Sequence, residues 1–498
     1  MPEREIKVTP EQQRFIETFC SKTPCFLSAR AGTGKTTTIR LAFEEAQRRG
    51  IPTSALSAVA FNKANQEDLA RSLGLGVKVS TLHSLGLSTL KGFFPRIEIS
   101  QSKLFDLTCL SGVRRKAFGD TMRLVSAAKN WGLQPSPEKM FKKSLLEDTS
   151  ENWRFLQDYY ELFEADIQIA RQILIESNKE ALRKYIIDFD DMVYLPVILG
   201  LQVFGTELMV VDEAQDLSPL NLEMLKKTPS KISYVGDPFQ CIYSWRGAVE
   251  DTVESLGLPV LPLTESFRCS GNIIKEAQKL VADIKTSNEK GLPVTRYYHL
   301  PDFTKVSPSA VLSRRNATLI SLALYMRTLR DSSGRKLLVY IQGRDLAKTL
   351  ITILDDLKGT NSTTLRQSLI DWKEKMVRKY PHKEGELKDY FECLNTILSE
   401  ASGRREAEKL IEGLFTDKPS EDAWTLSTIH RAKGKEWDTV FLLDWTPKML
   451  TQGWMRKEDR NLRYVGITRA KKQLFIIDET ALKVEKEKEN LNVALKSI

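Results

Sequence analysis

Short apolar runs alternate with stretches of helical periodicity along the chain, the pattern of parallel sheets covered by helices. Residues 25–29 are largely apolar and predict a buried strand, 35–49 carry apolar positions at helical spacing, and 55–61 are apolar again. Further short runs at 208–211 and 232–235 each end at an acidic residue or a Gly-Asp turn. The pattern restarts at 310–312, 337–341, 440–443 and 474–477, so two α/β cores are expected. In open α/β sheets the chemistry collects at the carboxyl ends of such strands.

Two intervals lack the alternation. Residues 92–204 and 351–421 hold long amphipathic patterns, such as 151–171 and 365–380, and predict helical insertions. The expected organisation is a first core from 1–91 and 205–259, interrupted by the helical insertion 92–204. A second core follows from 260–350 and 422–485, interrupted by a short helical insertion at 351–421, and 486–498 form a charged tail. The chain shows neither an internal repeat of fixed period nor a low-complexity block.

Composition narrows the class. With 498 residues, 41% hydrophobic and 28% charged, the chain is long enough for several cores and far from the composition of a disordered protein. Lys and Arg outnumber Asp and Glu by 74 to 65, a net charge of +9 that favours a polyanionic partner such as nucleic acid. The most apolar stretch, 192–204, is broken by Pro196 and Gln202 and is too short to span a membrane. The first five residues lead into charge with no apolar run behind them, so no secretory signal is expected and a cytoplasmic setting is. The six cysteines form no CxxC pair and only four histidines exist to complete a zinc site, which predicts reduced, structural thiols.

The segment Ala29-Arg30-Ala31-Gly32-Thr33-Gly34-Lys35-Thr36 lies between a predicted strand and a predicted helix, the context of a phosphate-binding P-loop. Gly32 and Gly34 let backbone N–H groups crowd round phosphate oxygens, as would those of Ala31 and Thr33. The helix N-terminus adds its dipole, Lys35 reaches the β and γ phosphates, and the Thr36 hydroxyl ligates Mg²⁺. At the end of the 208–211 run stand Asp212 and Glu213: Asp212 to hold Mg²⁺, Glu213 to position and deprotonate the attacking water. The fold class expected is therefore α/β, with two RecA-like parallel-sheet cores of the P-loop NTPase type.

Beyond these two motifs the chain carries Val235-Gly236-Asp237-Pro238-Phe239-Gln240-Cys241-Ile242-Tyr243-Ser244-Trp245-Arg246, then Thr264-Glu265-Ser266-Phe267-Arg268. Thr428-Ile429-His430-Arg431-Ala432-Lys433-Gly434-Lys435-Glu436-Trp437 and Tyr464-Val465-Gly466-Ile467-Thr468-Arg469 follow. In this order, across about residues 8 to 478, they resemble superfamily 1 DNA helicases of the UvrD, PcrA and Rep type. The resemblance implies roles residue by residue. Gln12 is similar to the adenine-recognising glutamine, Phe267 stands where an aromatic stacks on the base, and Glu436 belongs to the nucleotide set. Gln240 is similar to the glutamine that senses the γ-phosphate. Arg268 and Arg469 match two arginine fingers directed at the transferred phosphate.

For the single strand, Tyr243 and Trp245 offer faces on which bases can stack, at about 1–3 kcal/mol per base, and Arg246 neutralises phosphate. Phe61, Asn62, Lys63, Thr81, His83, Arg314, Asn316, Thr428 and His430 complete the nucleic-acid track that the resemblance implies. Departures from the family pattern are Thr37 where an arginine often stands, Trp437 for phenylalanine, and a second insertion roughly half the usual length. This compact form, with Ile187-Asp188-Phe189-Asp190-Asp191-Met192, most resembles the helicase part of F-box DNA helicases, although no F-box is apparent. It also resembles the helicase subunit of Gabija-type defence systems, whose partner is a nuclease.

The expectation is an ATP- and Mg²⁺-dependent DNA translocase or helicase, moving 3′ to 5′ on single strands and acting at single-strand/duplex junctions in replication, repair, recombination or phage-related processing. Its setting is cytoplasmic, bacterial or phage-encoded. An ATP-regulated single-strand binding protein, or a nuclease-partner subunit that hydrolyses ATP without processive unwinding, is the alternative.

Overall fold

The computed structural model describes residues 7–74, 76–135, 144–160, 162–242, 254–288, 290–379, 384–418, 420, 422–444 and 457–478. The chain divides into two compact units, Met1–Thr264 and Glu265–Ile498. Each is built on a six-stranded sheet in which every pairing is parallel.

In the first unit the strands are β1 (Cys25–Ala29), β2 (Leu56–Ala60), β3 (Lys78–Thr81), β4 (Glu98–Ile99), β5 (Ile186–Ile187), β6 (Leu208–Val211), β7 (Lys231–Gly236) and β8 (Val260–Leu263). The sheet order is β3-β2-β6-β7-β1-β8, and β4 and β5 form a separate pair. Because successive side chains leave a strand on opposite faces, β1, β2 and β6 are buried along their whole length and feed two cores. Leu27, Ala58 and Val210 pack with Phe15, Phe19, Ile39 and Phe43 of helices Pro10–Cys20 and Lys35–Arg48. Phe26, Val59, Met209 and Val211 face the other way, towards Leu85, Tyr194, Leu195 and Leu220. The insertion is thus part of the main core.

Its helices are Lys103–Leu110, Phe118–Asn130, Ser150–Tyr159, Ile167–Arg183 and Asp191–Ile198. The single amphipathic pattern at 151–171 becomes two helices because Asp166 caps the second, its carboxylate accepting from the Ile169 N–H. The expected break between cores at 259/260 falls instead at Thr264. β8 pairs with β1, Leu261 opposite Leu27, and so extends the first sheet.

The second unit contains β9 (Thr295–Tyr297), β10 (Ala310–Ser313), β11 (Val339–Ile341), β12 (Trp424–Thr428), β13 (Trp437–Asp444) and β14 (Ala470–Asp478), in the order β11-β12-β10-β13-β14-β9. Between β11 and β12 lie helices Arg344–Asp356, Ser362–Lys379, Glu384–Glu400 and Arg404–Leu414. Leu350, Leu394, Ile397 and Ile411 of these helices share one core with Ile341, Leu426 and Phe441 of the sheet. The protein is therefore α/β with two parallel-sheet cores. Among the described residues no helix is long and apolar enough to cross a membrane. No cysteine is paired; Cys109 is exposed and the other five are buried.

Candidate nucleotide site and nucleic-acid cleft

Chain order explains why the motifs meet. β7 lies between β1 and β6, so the turns leaving these three strands share the carboxyl edge of one sheet. After β1, Gly32 (φ 73°) and Gly34 (φ 79°) take left-handed conformations that a side chain disfavours, and Gly34 opens helix Lys35–Arg48 with no side-chain cap. The first N–H groups of that helix are therefore presented to an anion. Ala31 and Thr33 are buried beneath the loop, and Thr36 is exposed in the first helical turn.

Lys35 Nζ lies 3.1 Å from Glu213 Oε1, and Glu213 Oε2 accepts from Gln215 Nε2 at 2.5 Å. Burial opposes the Lys35 ammonium, but Glu213, Asp212 and Asp237 together raise its pKa. Asp212 continues the β6 ladder, its N–H donating to Val59 O (2.9 Å). Burial, followed by the charge of Glu213, pushes its carboxyl up to about 6 against the pull of Lys35. Glu213 is one of three non-glycine residues with positive φ among those described (53°), a strained backbone at the tip of a strand of the kind that marks functional sites.

The turn after β7 closes the cluster. The Asp237 N–H donates to Gln215 Oε1 (3.1 Å), and Gln240 Nε2 donates to Asp237 Oδ2 (2.7 Å). A Cβ at Gly236 would sit 2.4 Å from Gln215 Oε1, so a side chain there would displace the Gln215 carboxamide. Arg30 Nη1 lies 3.9 Å from Asp237, and its guanidinium covers the Phe239 ring at 4.8 Å. Gln12 is almost fully buried: its Oε1 accepts from the Thr9 N–H (3.0 Å) and its Nε2 donates to Thr38 Oγ1 (3.1 Å), tying the first helix to the P-loop helix.

For a divalent cation the chain offers the Thr36 hydroxyl and the Asp212 carboxylate, hard oxygen donors of the kind Mg²⁺ takes together with phosphate oxygens and water. No group of three or more His, Cys, Asp or Glu suited to a metal ion occurs among the described residues. Two hard oxygen donors would leave the other positions of such an ion to phosphate oxygens and water. Burial of Asp212 leaves a carboxylate that such a cation would favour.

A cleft of about 920 Å³ lies in the same unit. Phe61, Asn62, Lys63, Thr81 and His83, expected on the nucleic-acid track, all line it. So do Asp216 and Ser218, a few residues beyond Glu213, which makes the turn Ala214–Asp216 a direct link from the phosphate cluster to the cleft. The His83 ring stacks on Phe189 with centroids 3.9 Å apart, and burial lowers its pKa to about 4. Phe189, Asp190, Arg123 and Asn130 also line the cleft and were not singled out from the sequence as site residues. The signal available was Phe189 itself, an aromatic between aspartates with no apolar neighbour on its C-terminal side. Tyr243, Trp245 and Arg246 lie outside the described residues.

In the second unit, Arg268 and Arg469 meet at the amino end of β14. Arg268 Nε pairs with Glu436 (2.6 Å) and its Nη1 donates to Thr468 O (3.3 Å). Arg469 is 1% exposed and donates to Val465 O and Lys435 O, both at 3.1 Å. Phe267 is 53% exposed. At the opposite edge of that sheet, Arg314 pairs with Asp459 (2.5 Å), Asn316 Nδ2 donates to Asp389 (2.9 Å), and Thr428 ends β12. His430 follows, its pKa lowered to about 4 by burial and then by Arg314 and Lys433.

The UvrD/REP helicase N-terminal domain matches residues 8–257 and the UvrD-like helicase C-terminal domain matches 348–480. The chain is 28% identical over 321 residues to the ATP-dependent DNA helicase Rep of Escherichia coli, a match covering 58% of this chain and 45% of Rep. It is 24% identical over 524 residues to F-box DNA helicase 1 of Gallus gallus, covering 95% of this chain and 49% of that protein. With the ATP-dependent DNA helicase PcrA of Bacillus subtilis it shares 22% over 629 residues, covering 94% and 82%. The chain thus spans less than half the length of Rep and of the F-box helicase. With its P-loop, its strand-end carboxylates and both halves of the family pattern in place, the chain belongs to the UvrD/REP helicase family.

Proposed function

We propose that this chain is an ATP- and Mg²⁺-dependent motor that moves 3′ to 5′ along single-stranded DNA and separates duplexes, acting in a cytoplasm. One observation carries the reading: Lys35, Asp212, Glu213, Gln215, Asp237 and Gln240 form one connected cluster at a sheet edge. The turn after Glu213 also walls the cleft that holds Asn62, Lys63 and His83.

In the proposed reaction the P-loop N–H groups and Lys35 take the β and γ phosphates. Thr36 and Asp212 would hold Mg²⁺, whose charge offsets that of the phosphates. Phosphate oxygens compete with Glu213 for the Lys35 ammonium, which frees Oε1 to accept a proton from the attacking water. Gln240, beside Asp237, is placed to contact the γ-phosphate. Gln12, Phe267 and Glu436 are assigned to the nucleotide, and Arg268 and Arg469 to the charge that develops on the transferred phosphate. Phe61, Asn62, Lys63, Thr81 and His83 in the first unit, with Arg314, Asn316, Thr428 and His430 in the second, are assigned to the strand.

The test is ATPase activity with and without single-stranded DNA, followed by unwinding of 3′-tailed and 5′-tailed duplexes. Stimulation by the strand and unwinding of 3′-tailed duplexes only are expected. A preference for 5′ tails would refute the polarity, and hydrolysis with no strand separation would leave an ATP-regulated binding protein.

A further inference from the structure

The turn joining β5 to helix Asp191–Ile198 puts Phe189, 60% exposed, into the cleft with its ring stacked on His83. On either side of this ring the chain is clamped by buried charge. Lys129 Nζ lies 2.5 Å from Asp188 Oδ2 and 2.7 Å from Asp191 Oδ1, and Lys103 Nζ lies 2.6 Å from Asp191 Oδ2. Both lysine side chains are wholly buried. The two aspartates also cross-link the turn: the Asp191 N–H donates to Asp188 Oδ1 (2.9 Å) and the Asp188 N–H to Asp191 Oδ2 (3.0 Å). Asp190, between them on the cleft wall, accepts from the Ser126 hydroxyl.

Holding these helices together does not require ions. Helix Phe118–Asn130 already buries Leu124, Val125 and Ala128 completely, and a buried ion network is often no more stabilising than apolar side chains of the same volume. What charges in fixed hydrogen-bonding geometry add is direction. Each lysine arrives from a different helix, and both converge on one four-residue turn. We propose that Lys103 and Lys129 are positioning residues for strand binding: they fix the turn 188–191 so that Phe189 and Asp190 are held ready in the cleft. The proposal rests on the reading of that cleft as a single-strand site.

The experiment is a double-mutant cycle on the full chain, read by the affinity for a fluorescent oligo(dT) and by thermal melting. Phe189→Ala sets the scale, a loss of roughly tenfold for one stacking face. Asp188→Asn, which keeps the acceptor for the Asp191 N–H and removes one ion pair, is expected to reproduce most of that loss, and adding it to Phe189→Ala to cost nothing further. Arg171→Met breaks the Arg171–Asp148 pair in the same insertion, away from the cleft lining, and is expected to leave the affinity unchanged. Lys129→Met combined with Asp188→Asn tests the clamp more severely. If that pair fails to fold, Asp188→Asn alone decides. Parent affinity in a folded Asp188→Asn protein, or losses that add to those of Phe189→Ala, would overturn the proposal. If the parent binds no oligonucleotide, the strand reading fails instead. The clamp is then judged by acrylamide quenching of a Phe189→Trp reporter, which Asp188→Asn must increase for the clamp to stand.

Discussion

The two units use one architecture for opposite electrostatics. In the first, acids gather at the carboxyl edge of the sheet: Asp212, Glu213 and Asp237 surround a single lysine, Lys35, beside helix N–H groups. In the second, Arg268 and Arg469 stand at the amino end of β14 and donate to backbone carbonyls and Glu436 of their own unit. A phosphate is cradled best by a helix N-terminus, and in the first unit the loop with Gly32 and Gly34 opens one directly after β1. In the proposed reaction the arginines of the second unit are assigned to the charge that develops in the transition state. The sheets are equivalent scaffolds, and their turns decide the chemistry.

The largest effect is expected from the second unit. Arg268→Ala and Arg469→Ala should each lower turnover by about 10³-fold or more while changing nucleotide affinity far less. Arg469 is also a buried strut, so melting must be measured beside kcat and KM. A fall in melting temperature with only a proportional loss of activity would make Arg469 structural and remove the contrast between the units. On the other side of the comparison, Glu213→Gln should leave ATP bound and cut turnover by about 10²–10⁴-fold. Lys35→Ala should weaken both, because the loop's other cation, Arg30, is engaged with Asp237 and the Phe239 ring. Turnover at the parent rate in Glu213→Gln would place the base elsewhere.

A smaller effect is expected behind the first site. Gly236→Ala drives a methyl against the Gln215 carboxamide, which links Asp237 to Glu213. Turnover should fall severalfold at a stability cost on the order of 1 kcal/mol. Unchanged kinetics would show that Gln215 does not align the base.

How much of this was legible depended on burial and edges. β1, β2 and β6 are buried on both faces and stand out as short apolar runs, as does the strand-loop-helix of the P-loop. Val260-Leu261-Pro262-Leu263 lay in the second core of the expected division, and the proline within it weakens it as a strand signal. At the edge of a sheet a proline is tolerated, and β8 is the edge. β3 was missed for a similar reason, being another edge strand that begins at an exposed lysine. The phosphate cluster was legible because its residues sit in dense motifs. The cleft was only half legible: Phe61 to Lys63, Thr81 and His83 were expected there through the family resemblance, whereas Phe189 comes from an insertion whose helical periodicity says nothing about which turn faces inward. Burial of Lys103 and Lys129 was invisible for the same reason, since isolated lysines read as surface.

The smallest predicted effect separates the units by the origin of a pKa. His83 and His430 are both lowered to about 4, His83 by burial alone and His430 by burial reinforced by Arg314 and Lys433. An unfolded histidine takes up its proton near pH 6.5, so between about 6.5 and 4 the unfolded chain binds more protons than the folded one. Stability from each site is therefore complete above pH 6.5 and lost as pH falls towards 4, by at most about 3 kcal/mol per histidine. Asp212 and Asp190, raised to about 6, act with the opposite sign, losing stability as pH rises from about 4 through 6. The total curve mixes the two, and the difference between the parent and a His→Gln variant isolates each histidine. Salt then distinguishes them. Screening weakens repulsion from Arg314 and Lys433 but not desolvation, so moving from about 0.1 M to 1 M ionic strength should raise the NMR titration midpoint of His430 and leave that of His83 in place. Equal shifts at both histidines would mean that the charges around His430 do not set its protonation, and the electrostatic contrast between the two sheets would lose its support at that edge.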